Sequence, residues 1–124
     1  MTARPEAEGH LTKAKSFLEA AQTTLELELY DPATSDAVVA GINAKDVICL
    51  RLTGTTNKTE NHAAAIGELQ TAGQPGADLV STFQRLLRLK TRSQYQPSAV
   101  SAADAAKALE WAQRMVDAAQ DVLA

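Results

Sequence analysis

The stretch SAADAAKALEWAQRMVDAAQDVL, residues 101–123, decides the fold. Ala105, Leu109, Ala112, Val116, Ala119 and Leu123 recur at steps of three and four, an almost regular heptad lining one side of a helix. Ser101 and Asp104 stand at its start, where side-chain oxygens accept hydrogen bonds from the free amides of a first turn. Strand formers are few along the chain and never alternate in period two. Aromatics make up only 4%, while alanine is abundant. Alanine has the best helix propensity, and small side chains let helix axes come close. The reading is all-α.

Toward the N-terminus the same pattern repeats. Leu79, Val80, Phe83, Leu86 and Leu87 mark a helix opened by Pro75 and Asp78. It ends around Tyr95, because Pro97 disfavours helical geometry at Gln96. Asn57-Lys58-Thr59-Glu60 has the form of a capping box, with Asn57 as cap, and predicts a short helix to about Thr71, closed by Gly73. Asp31-Pro32 is a start signal: Asp31 accepts from the first amides and Pro32 needs no donor there. The helix it opens runs to about Thr53, with Ala37, Ala40, Gly41, Ala44, Val47 and Ile48 inward. Gly41 costs it about 1 kcal/mol relative to alanine, and a close helix crossing is the expected compensation. Gly54 supplies the left-handed stop. The first helix begins near Pro5 to Glu8 and runs to about Leu29. Leu11, Ala14, Leu18, Ala21 and Leu25 share one face, which Phe17 widens, and Glu6, Glu8, Glu19, Glu26 and Glu28 form a solvated acidic surface. Short connections favour antiparallel neighbours, so residues 1–124 are expected to form one domain, an up-and-down bundle of four main helices plus one short helix. The heptad stripe of residues 105–123 is either buried within that bundle or shared with a dimer seam, to which Trp111 and Met115 could contribute.

Composition narrows the function classes. Hydrophobic residues at 45% and charged residues at 22% are those of a globular chain. A net charge of −3 argues against generalised electrostatic binding of nucleic acid and leaves room for a local basic site. No apolar run approaches the roughly 20 residues that span a bilayer, and no secretory or lipidation signal opens the chain, so no membrane association and a cytoplasmic location are expected. His10 and His62 lie on different predicted helices and nothing resembles paired Cys or His ligands, so neither metal nor cofactor is expected. Gly-rich phosphate loops and nucleophile elbows are absent from the sequence. The lone cysteine, Cys49, reads as an inert, partly buried thiol. His62 reads as a surface or capping histidine.

The basic run Arg88-Leu89-Lys90-Thr91-Arg92-Ser93-Gln94-Tyr95 stands apart. Arg85, Arg88 and Arg92 fall at i, i+3 and i+7, on one side of their helix, with Lys90 to the flank. Like charges at that spacing repel unless acidic groups or a bound anion compensate. One reading pairs them with carboxylates of the first or the closing helix. The other makes them a face for phosphate, on RNA or a nucleotide, since guanidinium forks match that geometry. Tyr95 adds a stacking ring and a hydroxyl.

These pieces together resemble the HEPN superfamily, small helical domains found in many prokaryotic toxin–antitoxin and defence systems. The resemblance runs through Leu11-Thr12-Lys13-Ala14-Lys15-Ser16-Phe17-Leu18, Tyr30-Asp31-Pro32-Ala33, the Gly54 to His62 connection, the Arg-rich helix ending in Tyr95, and the closing Ala102 to Val122 helix. Active HEPN ribonucleases carry an Arg, four to six residues, then a His, and members paired with a nucleotidyltransferase carry a Tyr just beyond. By that pattern the Arg falls on Arg88, the Tyr on Tyr95, and the His on Ser93. The resemblance implies homodimers that cut RNA without metal, and a Tyr that a nucleotidyltransferase can modify.

Serine breaks the pattern where it matters. A hydroxyl cannot exchange protons near neutral pH as imidazole does, with its pKa of about 6.5. The expectation is a non-catalytic HEPN-like protein acting by association, as a homodimer or with a cognate toxin, antitoxin or nucleotidyltransferase. Arg85, Arg88, Arg92 and Tyr95 would form its nucleotide- or RNA-binding face. The alternatives are a divergent ribonuclease toxin, for which Arg88, Tyr95 and His62 are the catalytic candidates, and a helical adaptor with no nucleotide role. In the family's layout the segment bearing His62 is expected to lie away from Arg88.

Overall fold

In the computed structural model, which describes residues 3–58 and 61–124, the apolar stripes become α1 (Arg4–Glu26), α2 (Tyr30–Thr53), α3 (His62–Gln70), α4 (Gly73–Ala77), α5 (Val80–Tyr95) and α6 (Ala102–Leu123). The all-α bundle expected from periodicity is the fold observed. A second short helix, α4, is the addition. It forms because Gly73 takes a left-handed φ of 82° and re-aims the chain just ahead of Pro75.

α2 occupies the centre. From Ala33 to Leu50 it is buried on nearly every side, as a helix must be when it packs on α1, α5 and α6 together. Polar pairings fix the directions of these neighbours. Asn43, past the middle of α2, meets His10 in the first half of α1, and Ser35 near the start of α2 meets Ser93 near the end of α5. Both pairs are therefore antiparallel. Gly41 lies at the crossing with α5, where a β-carbon would run into the Leu86 side chain, so the expected close approach is present. Ala14, Leu18 and Ala21 of α1 and Ala105, Ala112, Val116, Ala119 and Leu123 of α6 join the core.

The caps behave in part as the sequence suggested. Ser101 accepts from the Asp104 amide at 3.1 Å, Gly54 closes α2 at φ 84°, and Gln96 is extended ahead of Pro97. Asp31 is not a cap. α2 begins two residues earlier, at Tyr30, after a turn in which Glu28 takes φ 62°, and Asp31 instead accepts from the Val100 amide at 2.9 Å. That amide ends the α5–α6 connection and has no helical partner, so the carboxylate is used there. The N-cap of α3 is Asn61 rather than Asn57. The Thr59 and Glu60 positions of the expected capping box lie outside the described residues, and α3 starts at His62 under Asn61, whose side chain accepts from the Ala64 amide at 3.1 Å.

Four side chains refine the expectation. Phe17 is exposed on α1, because α2 and α6 take the face bearing Ala14, Leu18 and Ala21. Met115 is fully buried and Trp111 packs partly against the core, so both are engaged within this chain. Cys49 is completely, not partly, buried.

Candidate functional site

The apolar face of α5 sets the direction of its charges. Thr82, Phe83, Leu86, Leu87 and Leu89 turn into the core, which leaves Arg85, Arg88 and Arg92 outward. Their environments differ. Arg92 pairs with Asp104 of α6 at 2.9 Å, the pairing with the closing helix that was one of the two readings for this face. Arg85 and Arg88 are exposed and make no ion pair among the described residues. Arg88 sits on an open cleft of about 300 Å³ between α3 and α5, lined also by His62, Ile66, Gln84, Leu87 and Thr91.

His62 is thus brought to Arg88 rather than held away from it, which corrects the expected layout. Its imidazole is partly buried against the cleft and lies near Lys90. Burial and, after it, the lysine charge hold its pKa below the ordinary 6.5, so the ring is neutral at physiological pH. A neutral ring has one nitrogen free to accept a proton.

A polar cluster below the cleft fixes the placement of α3, and sequence reasoning missed it. Lys45, 1% exposed on the central helix, directs its ammonium to Asp46 Oδ1 at 3.1 Å, Thr56 Oγ1 at 3.1 Å, the Asn57 carbonyl at 3.0 Å and Glu68 Oε1. Glu68, on α3, also accepts from the Asn57 amide at 2.8 Å, and Thr56 donates to Asp46 at 2.6 Å. His10 of α1 approaches Asp46 at 3.8 Å and pairs with Asn43 at 2.8 Å. A buried ammonium is tolerated only when paired and saturated with acceptors, and this one is. Burial works against its charge, yet the Glu68 hydrogen bond and the Asp46 charge win, and the Lys45 pKa lies above the usual 10.5. The neighbouring Cys49 thiol is pushed up to about 12, chiefly by burial, and is inert as a nucleophile. The signal available in the sequence was the Lys45-Asp46 pair inside the otherwise apolar run from Ala44 to Leu50.

Ser93 faces inward. Its hydroxyl donates to the Lys90 carbonyl at 3.1 Å and pairs with the Ser35 hydroxyl at 3.1 Å. The position that would carry the motif histidine is therefore tied into the α2–α5 contact. Tyr95, at the end of the same helix, is 73% exposed, with its ring in solvent. The structure brings Arg88 and His62 to one cleft, whose lining does not include Tyr95.

No described helix is long and apolar enough to cross a membrane. A search of curated proteins returned no match to the chain. The family model for the HEPN domain matches residues 7–122, nearly the whole length, and includes every element that builds the cleft. With the helical bundle and the Arg-bearing α5 in place, the chain belongs to the HEPN domain family.

Proposed function

We propose that this HEPN domain works by association, within a toxin–antitoxin or nucleotidyltransferase-paired system, and holds phosphate of RNA or a nucleotide at Arg85 and Arg88 without cutting it. One observation carries the reading: Ser93, at the motif position where a ribonuclease has histidine, spends its hydroxyl on the Lys90 carbonyl and Ser35. No proton-transfer group is left at that point of the helix, while the guanidinium that would grip phosphate remains exposed. A homodimer, or a complex with the cognate toxin, antitoxin or nucleotidyltransferase, is the form in which such a domain acts. Tyr95, with its exposed ring, suits modification by the nucleotidyltransferase.

Expression of the chain alone tests this. Growth is expected to continue, purified protein is expected to leave transcripts intact, and the product of the adjacent gene is expected to co-purify. Growth arrest that Arg88→Ala relieves would overturn the reading. Mass spectrometry after co-expression with the nucleotidyltransferase tests Tyr95, where added nucleotide mass is expected on the wild-type chain and not on Tyr95→Phe.

A second reading, a divergent ribonuclease toxin, is favoured by the shared cleft of Arg88 and a neutral His62. In it His62 takes the proton from the attacking 2′-hydroxyl, Arg88 steadies the phosphate, and the phosphorus–5′-oxygen bond breaks with that oxygen taking a proton from water, leaving a 2′,3′-cyclic phosphate. RNA cleavage lost with either His62→Ala or Arg88→Ala, and absent from neither wild-type preparation nor refolded material, is its signature.

A further inference from the structure

Behind the Arg88 cleft lies a separate and more enclosed cavity of about 260 Å³, between α2, the 54–58 connection, α3 and α5. Ile42, Ala65, Phe83 and Leu87 give it apolar walls. Lys45 and Asp46 form one end, and Lys58, His62 and Lys90 stand around the rest. It shares only His62 and Leu87 with the outer cleft.

The three lysines of this cavity are not equivalent. Lys45 has its ammonium engaged by Asp46, Thr56, Asn57 and Glu68 and has no proton left for a ligand. Lys58 pairs with Glu6 at 3.3 Å and is well exposed. Lys90 is partly buried, reaches the cavity from α5, and makes no ion pair among the described residues. A partly desolvated cation beside apolar walls is costly unless an anion joins it.

We propose that this cavity binds a small monoanion with an apolar body, an aryl or short-chain alkyl carboxylate, anchored on Lys90. One uncompensated cation selects a single negative charge. The volume lies near the lower end of ligand pockets, roughly 300 Å³ upward, which suits one ring or a short chain and excludes a polyphosphate. Phe83 and Leu87 supply the surface for the body of the ligand, and the His62 ring offers a second polar group beside the carboxylate. The site is independent of the phosphate-gripping role of Arg88.

Calorimetric titration of the whole chain with phenylacetate and with hexanoate tests it, with phenylacetamide as the uncharged control. Saturable binding of at least one acid is expected, and weaker binding of the amide. Lys90→Gln is expected to weaken the acid about tenfold or more, the loss of one charge-assisted hydrogen bond. Ala65→Leu, which fills the cavity from α3, is expected to abolish binding, whereas Arg88→Ala, outside the cavity lining, leaves it unchanged. If Ala65→Leu fails to fold, the Lys90→Gln comparison still decides, because Lys90 lies outside the core cluster. Failure of both acids to saturate, equal affinity for the amide, or an unchanged affinity in Lys90→Gln would each overturn the proposal. Retained acid binding in Arg88→Ala keeps the result separate from any failure of the phosphate-binding reading.

Discussion

Lys45 concentrates the conflict between charge and burial that α3 depends on. Its ammonium holds buried Asp46 and half-buried Glu68 together, so removing it leaves two carboxylates without their cation. Lys45→Met is therefore expected to destabilise the fold by about 3 kcal/mol, the low end for breaking a buried pair because Glu68 keeps some solvent access. Urea denaturation at neutral pH measures it, and a loss below about 0.5 kcal/mol would show that the cluster is not coupled to folding. The pH dependence has a definite sign. The folded Lys45 pKa lies above 10.5, so its stabilisation is complete below that pH and is lost as pH rises through the folded value. The denaturation midpoint of the wild type is expected to fall in that alkaline window, and the difference between wild type and Lys45→Met to shrink there. His62 titrates in the opposite sense. Burial first and Lys90 second favour its neutral form, so its midpoint in an NMR titration is expected below 6.5 and should rise in Lys90→Gln, with burial retaining part of the shift. An unchanged midpoint would mean that Lys90 does not face the ring.

Among the elements, the glycines separate packing from propensity. Gly9 in α1 has open space around its α-carbon, and Gly9→Ala is expected to add about 0.5–1 kcal/mol of stability through helix propensity alone. At Gly41 the same gain is opposed by the Leu86 side chain, which must move inside a packed core, and overpacking costs about 1–3 kcal/mol. At Gly76 the added carbon meets the backbone carbonyl of Leu69, which cannot rotate away. Denaturation midpoints should therefore fall in the order Gly9→Ala, Gly41→Ala, Gly76→Ala, and any other order would place the α2–α5 crossing or the α3–α4 junction wrongly. The Gly41 crossing was legible in the sequence because a glycine inside a helix has few other reasons to be there. The long helices were legible for a related reason, since periodicity over twenty residues averages out local ambiguity. Starts were harder to read. Asp31 has cap chemistry, and only the fold decides that its carboxylate accepts from the Val100 amide instead, just as only the fold makes Asn61 the cap of α3. The cleft was half legible: Arg88 announced itself by spacing, whereas His62 and Lys45 reach it or support it through tertiary pairing that no local pattern encodes.

At the scale of the whole molecule, a net charge of −3 surrounds a small cationic face, so any grip on a polyanion is local and rests on few contacts. Arg85, Arg88 and Lys90 of α5 make no ion pair among the described residues, while Arg92 is committed to Asp104. Each phosphate neutralised on a single strand contributes about −0.7 to the slope of log K against log salt. About two contacts, Arg85 and Arg88, therefore give a slope near −1.4, shallow beside a protein that wraps nucleic acid. Fluorescence anisotropy with a labelled single-stranded RNA, repeated across salt concentrations, measures the slope. Arg85→Ala and Arg88→Ala are each expected to lower its magnitude by about 0.7, and Arg92→Ala to change it much less, since that guanidinium already has a carboxylate. The contrast between Arg92 and the other two discriminates sharply: equal effects of all three would mean that RNA strips Arg92 from Asp104 and uses the whole basic run. No change in any of them would remove the nucleic-acid role from α5 and leave a helical bundle whose binding chemistry lies in the enclosed cavity behind it.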